Sequence, residues 1–256
     1  MNNNSFDIAF FSFNRHQDLL VPGLKSVIRN VPNFNEIILV WDDYLRERPI
    51  DFDQIKNEVG YDLRIIKHTE LYDWPESIGK WGWVKQQLAK LLCFTYSNSK
   101  YTWICDGDVL LTGDPELFHN GKPYLRYDST EKIDETDSGY YHFIKKYFNI
   151  QNYYPYSWIG STNLFDNSIC KEMFDFCLTH HNKSLIECVK ETIENSTSQF
   201  PFSEFETYGN YCYTNHQDKF YIDTYNWSRS GHKIKNRNFP IQVDWHLDPH
   251  FSQLMV

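Results

Sequence analysis

The stretch Tyr101-Thr102-Trp103-Ile104-Cys105-Asp106-Gly107-Asp108-Val109-Leu110-Leu111 constrains this chain more than any other. A mostly apolar run leads straight into two aspartates separated by one glycine. Such a run, with polar residues at its bounds, reads as a buried strand. Asp106 and Asp108 then sit at or just past its carboxyl end. In open α/β sheets the crevice outside the carboxyl ends of the strands is where ligands bind. Two carboxylates crowded there repel each other unless a positive charge lies between them. A divalent cation that prefers oxygen, Mg²⁺ or Mn²⁺, meets that need. Gly107 is expected to let the backbone turn and to let a phosphate or sugar come close. The competing reading is a solvated turn; the buried strand before the pair and the apolar residues after it favour the metal.

The flanking chain supplies an α/β frame. Phe6 to Phe13 reads as a first strand and Leu19 to Asn30 as a helix capped by Asp18, with Leu20, Leu24, Val27 and Ile28 on one face and Pro22 in its first turn. Glu36 to Trp41 is a second buried strand that runs into Asp42-Asp43. Strand, helix, strand in that order is the unit of a parallel sheet. Phe52 to Val59 suggests a short helix and Leu63 to Lys67 a third strand. From Trp83 onward a helix places Val84, Leu88, Leu91 and Leu92 on the core side, leaving Trp81, Trp83, Gln86, Gln87 and Lys90 for the remaining surface. After the aspartates, residues 124–156 are polar, aromatic and irregular and read as a long loop region beside the site. Ser157 to Phe165 looks like a strand interrupted by Gly160, and helices follow from Ser168, from Ser184 and from about Phe202. The tail from Phe220 reads as loop-rich. No repeat or linker divides the chain, so one domain is expected, with residues 1–110 as a nucleotide-binding half and 111–256 as an acceptor-side half.

Composition narrows the classes of partner. A formal net charge of −9 over 256 residues argues against a non-specific grip on nucleic acid or an anionic membrane. Aromatic residues make up 18% of the chain, enough to line a core and leave rings for stacking on sugars or bases. The six cysteines form no CxxC pair or zinc spacing and several sit in apolar runs, so they read as reduced, structural thiols of a cytoplasmic protein. No signal peptide and no run long enough to span a bilayer is visible.

With these residues in place, the chain resembles glycosyltransferases of the GT-A fold, the small bacterial and viral enzymes of that group. The resemblance runs from Phe6 to about His250. It rests on the strand-helix-strand start, the helix with Trp83, Gln86, Gln87 and Lys90, the Asp106-Gly107-Asp108 motif, the glycine-bearing segment Ser157 to Phe165, and the acidic helix start Ser203 to Asn210. It implies a Rossmann-type mixed sheet flanked by helices, with Mn²⁺ or Mg²⁺ as cofactor. It also implies transfer of a sugar from a nucleotide-diphosphate sugar to the hydroxyl of a carbohydrate or glycoconjugate. Asp108 would bind the metal directly, and Asp106 through water or by holding the ribose. A third ligand would come from the tail, with His246 and His250 as candidates. Glu204 and Glu206 are the candidates for the base that an inverting transfer needs. Only one of the two can face the site, and Phe202 and Phe205 beside Glu204 favour it. Arg15 could meet a phosphate, Asp42 the base or ribose, and Lys85 and Trp83 the donor. The rival readings are a haloacid-dehalogenase-type phosphatase, with Asp106 as nucleophile and Asp108 as acid, and a non-catalytic carbohydrate-binding protein. Against the phosphatase, about a hundred residues of α/β pattern precede the motif, which in those enzymes lies on the first strand.

Overall fold

The computed structural model describes residues 5–13, 17–43, 50–74, 80–132, 139–198, 201–224 and 240–242. The expected frame is present. Strands β1 (Phe6–Phe13), β2 (Ile37–Asp42), β3 (Arg64–Lys67), β4 (Tyr101–Asp106) and β9 (Thr162–Asp166) form one sheet in the order β3-β2-β1-β4-β9. The pairings of β1 with β2 and β4, and of β2 with β3, are parallel; β9 runs antiparallel to β4. This is the mixed sheet that the sequence implied, and it draws its last strand from the second half of the chain.

Alternation along each strand divides the core in two. Ile8, Phe10, Leu39, Trp103 and Cys105 face one side, where α1 (Gln17–Asn30) presents Leu20, Leu24 and Val27 and α2 (Phe52–Val59) presents Ile55 and Val59. Asp51 caps α2 by accepting from the Gln54 amide at 3.0 Å, and Gly60 closes it at φ 71°. Because α1 starts at Gln17, Pro22 sits in its second turn and not its first. Ala9, Phe11, Ile38, Val40 and Ile104 face the other side. That side carries α4 (Lys80–Leu91), α7 (Asn167–His181), α8 (Leu185–Asn195) and α9 (Glu204–Asn215), with the short helices α3 (His68–Leu71) and α5 (Cys93–Tyr96) at strand ends.

The main departure lies in residues 124–156. Instead of a long loop, the chain forms an 11-residue strand β7 (Lys122–Lys132) and a helix α6 (Gly139–Phe148) that buries Tyr141, Phe143, Ile144, Tyr147 and Phe148. The helical stripe was built almost wholly from aromatics, which have weak helix propensity and strong strand propensity, so its period did not stand out. β7 pairs with β6 (Phe118–His119), with β8 (Tyr156–Ser157) and, in parallel, with β10 (Tyr221–Thr224). Asn120 and Gly121, both at positive φ, make the tight β6–β7 hairpin. β5 (Val109–Leu111) pairs with β11 (Pro240–Gln242), so the tail is not all loop. All six cysteines are buried and free.

Candidate active site

Asp106 is the last residue of β4, on the face that carries Ile104 and therefore toward α4 and α9. Its backbone N–H donates to Ser161 O at 3.1 Å. Gly107 follows in the expected turn, and packing also requires it there. A Cβ there would lie 2.3 Å from Phe11 O and 3.0 Å from Ser12 Cα and Cβ. The glycine is needed because the turn presses against the end of β1. Beside it, the Ser12 hydroxyl is buried and has no hydrogen-bond partner.

The largest feature missed in the sequence is Lys90. Placed by helical spacing on the surface, it is 1% exposed and lies between two carboxylates. Its Nζ is 2.6 Å from Asp106 Oδ1 and 2.7 Å from Glu204 Oε1. The Phe205 ring lies against the same ammonium, 4.7 Å from Nζ to centroid. Burial pushes the Lys90 pKa down, but Asp106 and Glu204 outweigh burial and hold it above the ordinary lysine value. Gln87, expected on the surface as well, is buried, and its amide NH₂ donates to the Glu204 carboxylate. Helix α4 is enclosed by the sheet on one side and by α9 on the other, so its polar face is interior. A signal was available: Glu204, framed by Phe202 and Phe205, required a buried cation.

Glu204 and Glu206 diverge as their spacing dictates. Glu204 is fully buried, and burial raises its pKa against the pull of Lys90. Glu206, 1% exposed, points into a second network. Its Oε1 accepts from Ser157 Oγ at 2.6 Å and from the Trp158 amide at 3.0 Å, and its Oε2 from Tyr141 Oη at 3.1 Å. It thereby ties α9 to α6 and to the segment 157–161 that backs Asp106. Gly209, one turn on, makes room for Trp158: a Cβ would lie 2.3 Å from the indole Cγ. Gly209→Ala is expected to destabilise the fold by ~1–3 kcal/mol through overpacking, read as a lower urea midpoint at unchanged slope.

The carboxyl ends of β2 and β3 supply a second group. Asp42 ends β2 opposite Phe13 and Asp106 ends β4 opposite Phe11, so the two flank β1, two strand spacings (~10 Å) apart across the sheet and two residues (~7 Å) apart along it, ~12 Å in all. Asp42, His68, Tyr72, Trp74 and Lys85 line a pocket of about 300 Å³. His68 is buried, and burial lowers its pKa although Asp42 opposes the shift; Lys85 is lowered for the same reason. Trp83 does not line this pocket; it is half-buried, with its ring 6.4 Å from that of Tyr140. Arg15, His246 and His250 lie outside the described residues. Among the described residues no three His, Cys, Asp or Glu side chains group as a metal site. No helix among them is long and apolar enough to cross a membrane.

The parallel sheet closed by one antiparallel strand, with helices on both faces, is a mixed α/β fold that solved glycosyltransferases share. Among solved structures, mouse xyloside xylosyltransferase 1 in its apo form superposes with a TM-score of 0.54 at 7% identity, over 95% of this chain and 99% of that one. The glycosyltransferase GlyE of Streptococcus pneumoniae TIGR4 matches at a TM-score of 0.46 and 15% identity over 86% of this chain, which spans 45% of the GlyE chain. At these identities the likeness is one of fold. No family model matches the sequence, and no curated protein does.

Proposed function

We propose that the chain is a metal-dependent glycosyltransferase that moves a sugar from a nucleotide-diphosphate sugar to a hydroxyl of a carbohydrate or glycoconjugate. The observation that carries this reading is the Asp106-Gly107-Asp108 turn, set at the carboxyl end of a central strand of a glycosyltransferase fold. Two carboxylates and the unpartnered Ser12 hydroxyl offer hard oxygen donors that suit Mn²⁺ or Mg²⁺. Asp108 would hold the ion, with His246 or His250 from the tail as a further ligand. Such an ion neutralises the charge that grows on a departing diphosphate.

The chain's own residues have separable tasks in this reading. Lys90 fixes Asp106 and neutralises it in part, and Asp108 would be the direct ligand of the metal. Glu204 is fully buried and ion-paired, which suits it to positioning Lys90 rather than to touching an acceptor. Glu206, spent on Ser157, Trp158 and Tyr141, positions the acceptor-side segment 157–161. The pocket of Asp42 and Lys85 takes the base or ribose, Arg15 a phosphate, and Trp83 remains the nearest sugar platform on α4. Residues 1–110 then act as the nucleotide half and 111–256 as the acceptor half. The fold and the motif's place on the fourth strand support this reading over a phosphatase, whose nucleophile would need a free Asp106.

Differential scanning gives a direct test. Mn²⁺ with a nucleoside diphosphate should raise Tm more than the two separate shifts combined, because each ligand then completes the other's site. Shifts that are absent for every common nucleoside diphosphate would leave only the non-catalytic reading.

A further inference from the structure

The sheet has a second concave region, at the end opposite Asp106. The amino end of β1 and the neighbouring loops enclose a basin of about 500 Å³. Its floor includes the buried rings of Phe6 and Tyr124, and its rim carries the exposed side chains of Asn33, Asp114, Glu116 and Asn120. Phe6 lies level with Tyr101 and Phe11 with Asp106, five residues on, so at ~3.3 Å per residue the basin floor lies roughly 17 Å from Asp106.

The basin is built rather than incidental. His119 on its wall is fixed at both ring nitrogens, by Asn120 Nδ2 at 3.1 Å and by Tyr124 Oη at 3.4 Å. Its ring lies against Tyr221, centroids 4.1 Å apart and 31° from parallel. Tyr221 is 40% exposed and is one of three large apolar side chains that stand in solvent among the described residues. The rim is clamped from below: Arg126 Nη1 donates to Pro115 O at 2.5 Å and Nη2 to Glu116 O at 2.6 Å. That clamp holds Glu116 at φ 47°, a left-handed conformation costing a residue of this type about 1–2 kcal/mol. A wall so fixed loses little freedom when a ligand arrives.

We propose that this basin is a second, non-catalytic site that binds a neutral oligosaccharide. A sugar hydroxyl both donates and accepts; carboxamides do the same, and carboxylates accept. Aromatic faces cover the apolar face of a sugar ring while their edges stay wet. Among the described residues no lysine or arginine lines the basin, so they offer nothing there to a phosphate or a nucleotide. A basic peptide would suit the two carboxylates but would leave the carboxamide NH₂ groups facing its cations. A glycan chain held here would keep its free end at high local concentration near the aspartate pair, provided it spans the intervening sheet. Binding itself is independent of sugar transfer, so its failure and the failure of the transferase reading are separate results.

The probes are neutral linear hexasaccharides of glucose, mannose, galactose and xylose, titrated into the full chain by calorimetry and ligand-observed NMR without metal or nucleotide. At least one is expected to bind, and to bind Asp108→Ala equally well. Its affinity should fall about tenfold or more, a change of ~1.4 kcal/mol, in His119→Ala and in the pair Asn33→Gly, Asn120→Gly. Both asparagines have positive φ, so glycine removes the amide and keeps the backbone. The idea is overturned if no hexasaccharide binds, if binding disappears with Asp108→Ala, or if the basin variants leave it unchanged. Binding of hexalysine at these residues in place of every sugar would also overturn it.

Discussion

Asp108→Ala is expected to abolish sugar transfer while leaving the protein folded. Asp106 already shares its carboxylate with Lys90, and Asp108 is the residue proposed as the direct ligand of a divalent ion. Loss of the ion removes stabilisation of the departing diphosphate, an effect on the order of 10³-fold or more in rate, ~4 kcal/mol. The fold should tolerate the change, since it also removes one of two crowded like charges from the turn. The measurement is hydrolysis of UDP- and GDP-sugars with Mn²⁺, beside a thermal melt of both proteins. A variant that keeps its rate to within about tenfold would take this motif out of the chemistry.

Lys90→Met should have the largest effect on stability. It strips the cation from two carboxylates at once, and Glu204 has no route to water. Breaking one partner of a buried ion pair costs ~3–5 kcal/mol, because the other charge stays behind uncompensated. The pH dependence carries a definite sign. Burial already raises the Glu204 pKa, and without Lys90 nothing charged remains to pull it back. A carboxyl whose folded value is raised favours the folded state fully below its unfolded value of ~4.3, and that advantage is lost as pH rises through the folded value. The variant should therefore be worst near neutrality and recover toward pH 5. In the native protein Lys90 is itself raised, so its contribution is complete below ~10.4 and is lost only as pH rises through the elevated value. Urea unfolding at pH 5 and pH 8 reads the trend of the variant, and Lys90→Met with Glu204→Leu should restore most of the loss. Equal stability of Lys90→Met and the native protein at both pH values would show that the pair contributes nothing to the fold.

What the sequence revealed and what it hid follow from the same physics. Strands buried on both faces read as continuous apolar runs, so β1, β2 and β4 and the position of Asp106 at a strand end were visible by inspection. Helices α2 and α8 were legible to within a residue of their ends. Helix α4 was legible as a helix with its core stripe, but its enclosure on both sides was not, so Gln87 and Lys90, expected on the surface, are interior. The burial of Glu204 was anticipated from its phenylalanine neighbours; the ammonium that burial demands, 114 residues earlier, was not. Helix α6 was hidden by its own tyrosines and phenylalanines. Gly107 was singled out at the right place, and packing adds a reason of its own, the carbonyl of Phe11 pressed against the turn.

The single ammonium of Lys90 also bears on how separable the two parts of this chain are. One of its carboxylates ends β4 and the other begins α9, while β9 closes the sheet against β4 from the far side. A fragment that stopped after Leu111 would carry the acidic turn but would leave Lys90 facing water and β4 with an open edge. Residues 1–111 are thus not a transplantable cassette: recombination or domain grafting that breaks the chain between Leu111 and Glu204 has to bring a matching acid and a matching strand with it.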